Sequence, residues 1–96
     1  MKVRWTRPAR DDLIRIQDYI AQDNPRAAFR VVETIRKRTG KLVEHPRSGR
    51  PGRVEGTREL VITDTPYLVA YRIQGEWIDV LAVLHGSRQW PEGFSN

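Results

Sequence analysis

The sequence predicts an α+β domain with elements in the order β-α-α-β-β-β, its antiparallel sheet covered on one face by a helical hairpin. Three observations point there. Apolar residues recur at helical spacing in two successive stretches between residues 9 and 42. Three runs rich in β-branched and aromatic residues follow residue 57. Links between successive elements are short, apart from one stretch rich in Gly, Pro and Arg. With 96 residues the chain is expected to form a single domain, 1–96.

Residues 3–5 can start a short strand. Ala9, Leu13, Ile16 and Ile20 then fall on one helical face. Thr6 is a capping residue, Pro8 is tolerated in the first turn, and Asp11 and Asp12 suit the positive end of the helix dipole. This helix should fade by Asp23. Asn24 and Pro25 open a second one, with Ala28, Val31, Val32, Ile35, Thr39 and Leu42 as its buried stripe. Gly40 weakens it, and His45-Pro46 should end it. Two amphipathic helices joined by about three residues make an antiparallel αα-hairpin.

The stretch HPRSGRPGRVEGT cannot stay regular for long. Its length and its arginines, Arg47, Arg50 and Arg53, make it a candidate binding loop. Strands are expected over 58–63 (RELVIT), 67–73 (YLVAYRI) and 77–84 (WIDVLAVL). Gln74-Gly75-Glu76 reads as a three-residue hairpin turn and Asp64-Thr65-Pro66 as a stiffer one, which implies an antiparallel meander. Leu60/Ile62, Leu68/Ala70 and Ile78/Val80/Ala82/Leu84 are the alternating sets expected to face the helices.

Net charge is +5, unevenly spread. Residues 24–58 hold ten Lys/Arg against three acids, whereas the rest of the chain is slightly acidic. A concentrated basic segment suits an anionic partner, either nucleic acid or an acidic protein segment; a solvated helix face is the bland alternative. The absence of cysteine excludes disulfides, thiolate chemistry and cysteine metal sites. Two histidines far apart give no structural metal site, and no cofactor is expected. SGRPG lacks the lysine and following helix of a phosphate loop. No apolar leader or membrane-length run is present, so a soluble, cytoplasmic protein is expected.

WTRPARDDLIRIQDYI, NPRAAFRVVETI, HPRSGRPGRVEGTRELVI, TPYLVAYRI and VLAVLHGSRQWP, in that order and spacing, resemble the RelE/ParE superfamily of toxins from bacterial type II toxin–antitoxin modules. The resemblance spans nearly the whole chain. It implies a cytoplasmic toxin held inactive by a cognate antitoxin in a hetero-oligomer, and causing growth arrest when released. It does not fix the target. RelE-like members cut mRNA in the ribosomal A site, whereas ParE-like members inhibit DNA gyrase by binding.

Cutting RNA through its own 2′-OH needs a base, an acid and cations for the phosphoryl charge. Arg58, His85 and Arg88 are the candidates for those roles. The resemblance places Tyr67 where a nuclease of the superfamily commonly carries arginine, which removes one phosphate contact. His85 also reads as a strand-end residue, Tyr67 as a packing residue, and Trp90 as a cover for the sheet edge. Three readings therefore stay open: a gyrase inhibitor, a ribosome-dependent mRNA endonuclease, and an inactive toxin that only binds its antitoxin. In each, an acidic, partly disordered antitoxin is expected against the hairpin and sheet. The residues expected to bind target or antitoxin are Arg36, Arg38, Arg47, Arg50, Arg53, Arg58, Tyr67, Arg88 and Trp90.

Overall fold

A computed structural model describes residues 1–86. The elements are β1 (Lys2–Trp5), α1 (Arg7–Ala21), α2 (Pro25–Gly40), a 3-10 turn (Lys41–Val43), β2 (Arg50–Pro51), β3 (Arg58–Val61), β4 (Tyr67–Gln74) and β5 (Trp77–His85). Both helices begin where local chemistry dictates. The side-chain oxygen of Thr6 accepts from the Ala9 amide at 3.3 Å, and that of Asn24 from the Ala27 amide at 3.1 Å, satisfying amides that have no partner within the helix. Gly40 closes α2, and the 3-10 turn carries the chain on toward His45. No helix among the described residues is long and apolar enough to cross a membrane.

The expected class and element order hold, with α1 and α2 packed as a hairpin and the sheet ordered β1-β5-β4-β3-β2. Antiparallel pairing runs through β2, β3, β4 and β5, but β1 joins β5 in parallel. The expectation of a wholly antiparallel sheet is corrected there. Short links fix direction only between consecutive strands, and β1 is separated from β5 by everything else. Apolar on both of its alternating faces, β5 is an interior strand that needs a neighbour on each edge. Within the loop, Arg50-Pro51 also pairs with β3, as a two-residue strand the sequence did not announce. The last hairpin turn is two residues, not three: Gly75 has φ +61 at its first position, a conformation glycine adopts at no steric cost.

The register changes which residues face the helices. Ala70 pairs with Ala82 but Tyr71 with Val80, so Leu81 is an extra residue in β5. Ile78, Val80 and Val83 consequently share the helix side with Tyr67, Val69 and Tyr71. Ala70, Ala82 and Leu84 lie with Val54 on the other side. The expected helix-facing sets Leu68/Ala70 and Ala82/Leu84 are thus reversed. Every residue from Tyr67 to Tyr71 is buried, so alternation could not tell the two faces apart, and the larger side chains fill the deeper space under the helices.

The bulge also explains the use of Asp12. One turn further into α1 than a dipole role requires, its carboxylate accepts from the Val83 amide at 3.0 Å. That amide lies beyond the end of β1, where no strand remains to receive it. Thr6 performs the same service at the boundary, its amide and hydroxyl both bonding the Val80 carbonyl, at 3.1 and 2.7 Å.

Candidate functional site

The basic loop between α2 and β3 is clasped onto the sheet. Tyr71, fully buried in β4, donates its hydroxyl proton to the Pro46 carbonyl at 2.6 Å and accepts from the Gly49 amide at 2.9 Å. Burial raises the Tyr71 phenol above its usual 10.0, with the Gly49 amide and the charge of Arg58 acting in opposition. Arg58 lies opposite Tyr71 in register and donates to the carbonyls of Gly49 at 2.7 Å and Arg47 at 3.3 Å. A Cβ on Gly49 would stand 2.7 Å from the Tyr71 ring and hydroxyl, so only glycine fits between loop and strand.

On the opposite face of β3, Glu59 is 2 % exposed. Its carboxylate accepts from Nε and Nη2 of Arg50 at 3.2 and 3.0 Å, accepts from the Arg53 amide at 3.3 Å, and lies 3.5 Å from Nε of Arg53. Arg50, Arg53 and Arg58, three of the arginines expected to meet a partner, are therefore engaged inside the chain. A lone acid beside Arg58 in RELV was the available signal for this; an arginine's identity announces charge but not the partner it takes.

Among the described residues the side chains of Arg36 and Arg47 make no hydrogen bond or ion pair, and both are exposed. Arg38 donates to the Thr63 hydroxyl. Arg36 also borders a groove of about 240 Å³ between the two helices, lined by Trp5, Arg10, Leu13, Ile14, Gln17 and Val32. Ile14 there is 55 % exposed, and Phe29 on α2 is 64 % exposed between Arg26 and Arg30. The groove is an apolar seam with an arginine on either side.

Of the nuclease candidates, Arg58 and His85 do not come together. Arg58 lies opposite Tyr71, whereas His85 lies opposite Tyr67, four residues along β4, or about 13 Å. The two also flank β4 on different sides, adding two strand spacings of about 5 Å each. His85 is exposed and meets Tyr67 edge to face at 5.7 Å between ring centroids. Tyr67 is only 8 % exposed and belongs to the core with Leu13, Ile35 and Val69. Arg88 and Trp90 lie outside the described residues.

The family model described as the ParE toxin of the type II toxin–antitoxin system parDE matches residues 3–90. The chain belongs to the ParE toxin family. This ParE-family chain is 46 % identical over 91 residues to a Sinorhizobium fredii protein named as toxin Y4kP, covering 95 % of this chain and 94 % of that protein. It is 33 % identical over 87 residues to toxin RelE2 of Caulobacter vibrioides, covering 91 % and 97 %. Among solved structures, the chromosomal ParDE system of P. aeruginosa superposes with a TM-score of 0.80 at 32 % identity, covering 88 % of this chain and 95 % of that one. The toxin–antitoxin complex RelBE2 of Mycobacterium tuberculosis does so at 0.55, with the same identity and coverage. It is a toxin of a type II toxin–antitoxin system, on the fold common to the ParE and RelE branches.

Proposed function

We propose that this ParE-family toxin acts in the cytoplasm by binding and inhibiting DNA gyrase, with no hydrolytic chemistry of its own. The carrying observation is the separation of Arg58 from His85, two of the groups RNA cleavage would need. Arg58 holds two loop carbonyls, His85 pairs with the far end of β4, and Tyr67, which the resemblance aligns with the superfamily's nuclease arginine, is buried. General acid–base cleavage requires its groups within hydrogen-bond reach of one phosphodiester. The test is gyrase supercoiling with purified toxin. Inhibition with a stalled cleavage complex is expected; unimpaired supercoiling at excess toxin would overturn the reading.

Mutual likeness to proteins named for RelE keeps one alternative, ribosome-dependent mRNA cleavage. Primer extension after induction separates the two. Codon-positioned cuts that vanish in His85→Ala or Arg88→Ala would establish cleavage in place of gyrase inhibition.

A cognate acidic antitoxin completes the proposal. Its apolar side chains would enter the groove at Ile14 and Val32, and its carboxylates would meet Arg10, Arg36 and Arg47, whose side chains make no hydrogen bond or ion pair among the described residues. Arg50, Arg53 and Arg58 would shape the loop beneath it.

A further inference from the structure

With Arg50, Arg53 and Arg58 engaged by Glu59 and by backbone carbonyls, and Arg47 the loop arginine left over, the unbalanced charge of residues 24–58 lies mainly on α2 and its C-cap. Arg26, Arg30, Lys37 and Lys41 are all exposed, and none makes a side-chain hydrogen bond or ion pair among the described residues. At 3.6 residues per turn Arg26, Arg30 and Lys37 on α2, with Lys41 at its C-cap, lie within about 30° of the direction opposite the buried stripe of Ala28, Val32, Ile35 and Thr39. They form a cationic ridge about 22 Å long on a capped, packed helix. Glu33, exposed between Arg30 and Lys37, is a carboxylate beside it, and Asp23 and Glu44 lie beyond its two ends.

We propose that this ridge is a docking surface for the phosphate backbone of duplex DNA, read without sequence preference. The ridge has no apolar side chain along its crest; Glu33 and Thr34 flank it between Arg30 and Lys37. A protein partner would need a buried anchor to give the complex a lifetime, and such anchors lie a quarter-turn away, at Phe29 and the interhelical groove. Phosphates need no anchor. Duplex DNA presents one charge per about 1.7 Å of axis, so the ridge spans about six phosphates of one strand. Long, flexible side chains on a straight helix suit such a periodic row. The inference rests on the gyrase reading for its setting, since a gyrase inhibitor works beside DNA, and the ridge would hold the toxin there.

The test is fluorescence anisotropy of the full chain with a 20-base-pair duplex of arbitrary sequence, across salt concentration. Four phosphate contacts predict a slope of log K against log salt near about −3.6, or a loss of about 150-fold between 50 and 200 mM salt. The double variant Arg30→Gln/Lys37→Gln should lower the slope by about 1.8, whereas Arg7→Gln/Arg72→Gln, which removes the same charge elsewhere, should change it by less than about 0.5. Equal changes in the two doubles, no binding at 50 mM salt, or tighter binding of a single-stranded RNA 20-mer would overturn the inference. Supercoiling assays read the gyrase proposal independently: inhibition without DNA binding defeats the ridge alone, and DNA binding without inhibition defeats the gyrase reading alone.

Discussion

The hydroxyl of Tyr71 lies 2.6 Å from the carbonyl oxygen of Pro46, a side chain in the middle of the sheet holding the first turn of the basic loop. Replacing it with phenylalanine keeps the ring's packing and removes both loop bonds. Leaving the Gly49 amide unpaired should cost about 1–3 kcal/mol in urea unfolding. A pH signature accompanies this. Because burial raises the folded-state phenol above its usual 10.0, the wild type has its full contribution below pH 10 and loses it as pH rises through the folded value. Urea midpoints between about pH 9 and pH 11 should fall more steeply in the wild type than in Tyr71→Phe.

Gly49→Ala tests the close approach from the other side. Its Cβ would press on Tyr71 at 2.7 Å and on the Glu59 carbonyl at 2.9 Å. Overpacking of this kind costs about 1–3 kcal/mol. Equilibrium unfolding measures it, and a double variant with Tyr71→Phe should recover little, because ring and backbone remain in the way.

Glu59→Gln should loosen Arg50 and Arg53 together. Losing charge-assisted bonds to a buried acceptor is expected to destabilise the chain by about 1.5–3 kcal/mol. Amide exchange within Arg50–Pro51 should accelerate more than exchange in β4.

Asp12→Ala removes the acceptor for the Val83 amide at the bulge. The expected loss is about 1–3 kcal/mol, with faster exchange at Val83. Asp12→Asn, which keeps an acceptor oxygen, should restore most of both. A purely helical role for Asp12 would leave Val83 exchange unchanged.

Association with an acidic antitoxin should respond to the uncommitted arginines. Arg36→Glu is expected to slow association by on the order of tenfold at low salt, the difference shrinking as salt rises. Arg50→Gln should leave the rate nearly unchanged. Stopped-flow mixing at two ionic strengths separates these outcomes.

The helices were legible because their determinants are local: Thr6-Arg7-Pro8 and Asn24-Pro25 announce starts, and the stripes through Leu13 and Ile35 announce faces. The sheet was legible in strand order but not in facing. Alternation informs only where one side of a strand is wet, and Tyr67 to Tyr71 is buried on both. Nothing at Leu81 marks a bulge, since neither glycine nor proline stands there. At the candidate site, the basic residues were visible as charge. Their division into internal braces and free cations depended on Glu59 and on loop carbonyls brought near by pairing across the sheet. Tyr71 was readable as a packing residue, but its hydroxyl partners, Pro46 and Gly49, arrive from another element.

The place of β5 bears on how such a toxin comes into being. Among the described residues it is the latest of five strands in chain order, yet it lies inside the sheet, and β1 pairs with it alone. The ion pair of Arg4 with Asp79, at 2.6 Å, spans 75 residues of chain. Contacts that distant are slow to close and reward the chain only once nearly all of it is present. During synthesis the two helices and β3–β4 would lack the strand that joins β1 to the rest of the sheet until translation had passed His85. The topology itself thus keeps the described sheet incomplete, with β1 unpaired, until β5 has been made.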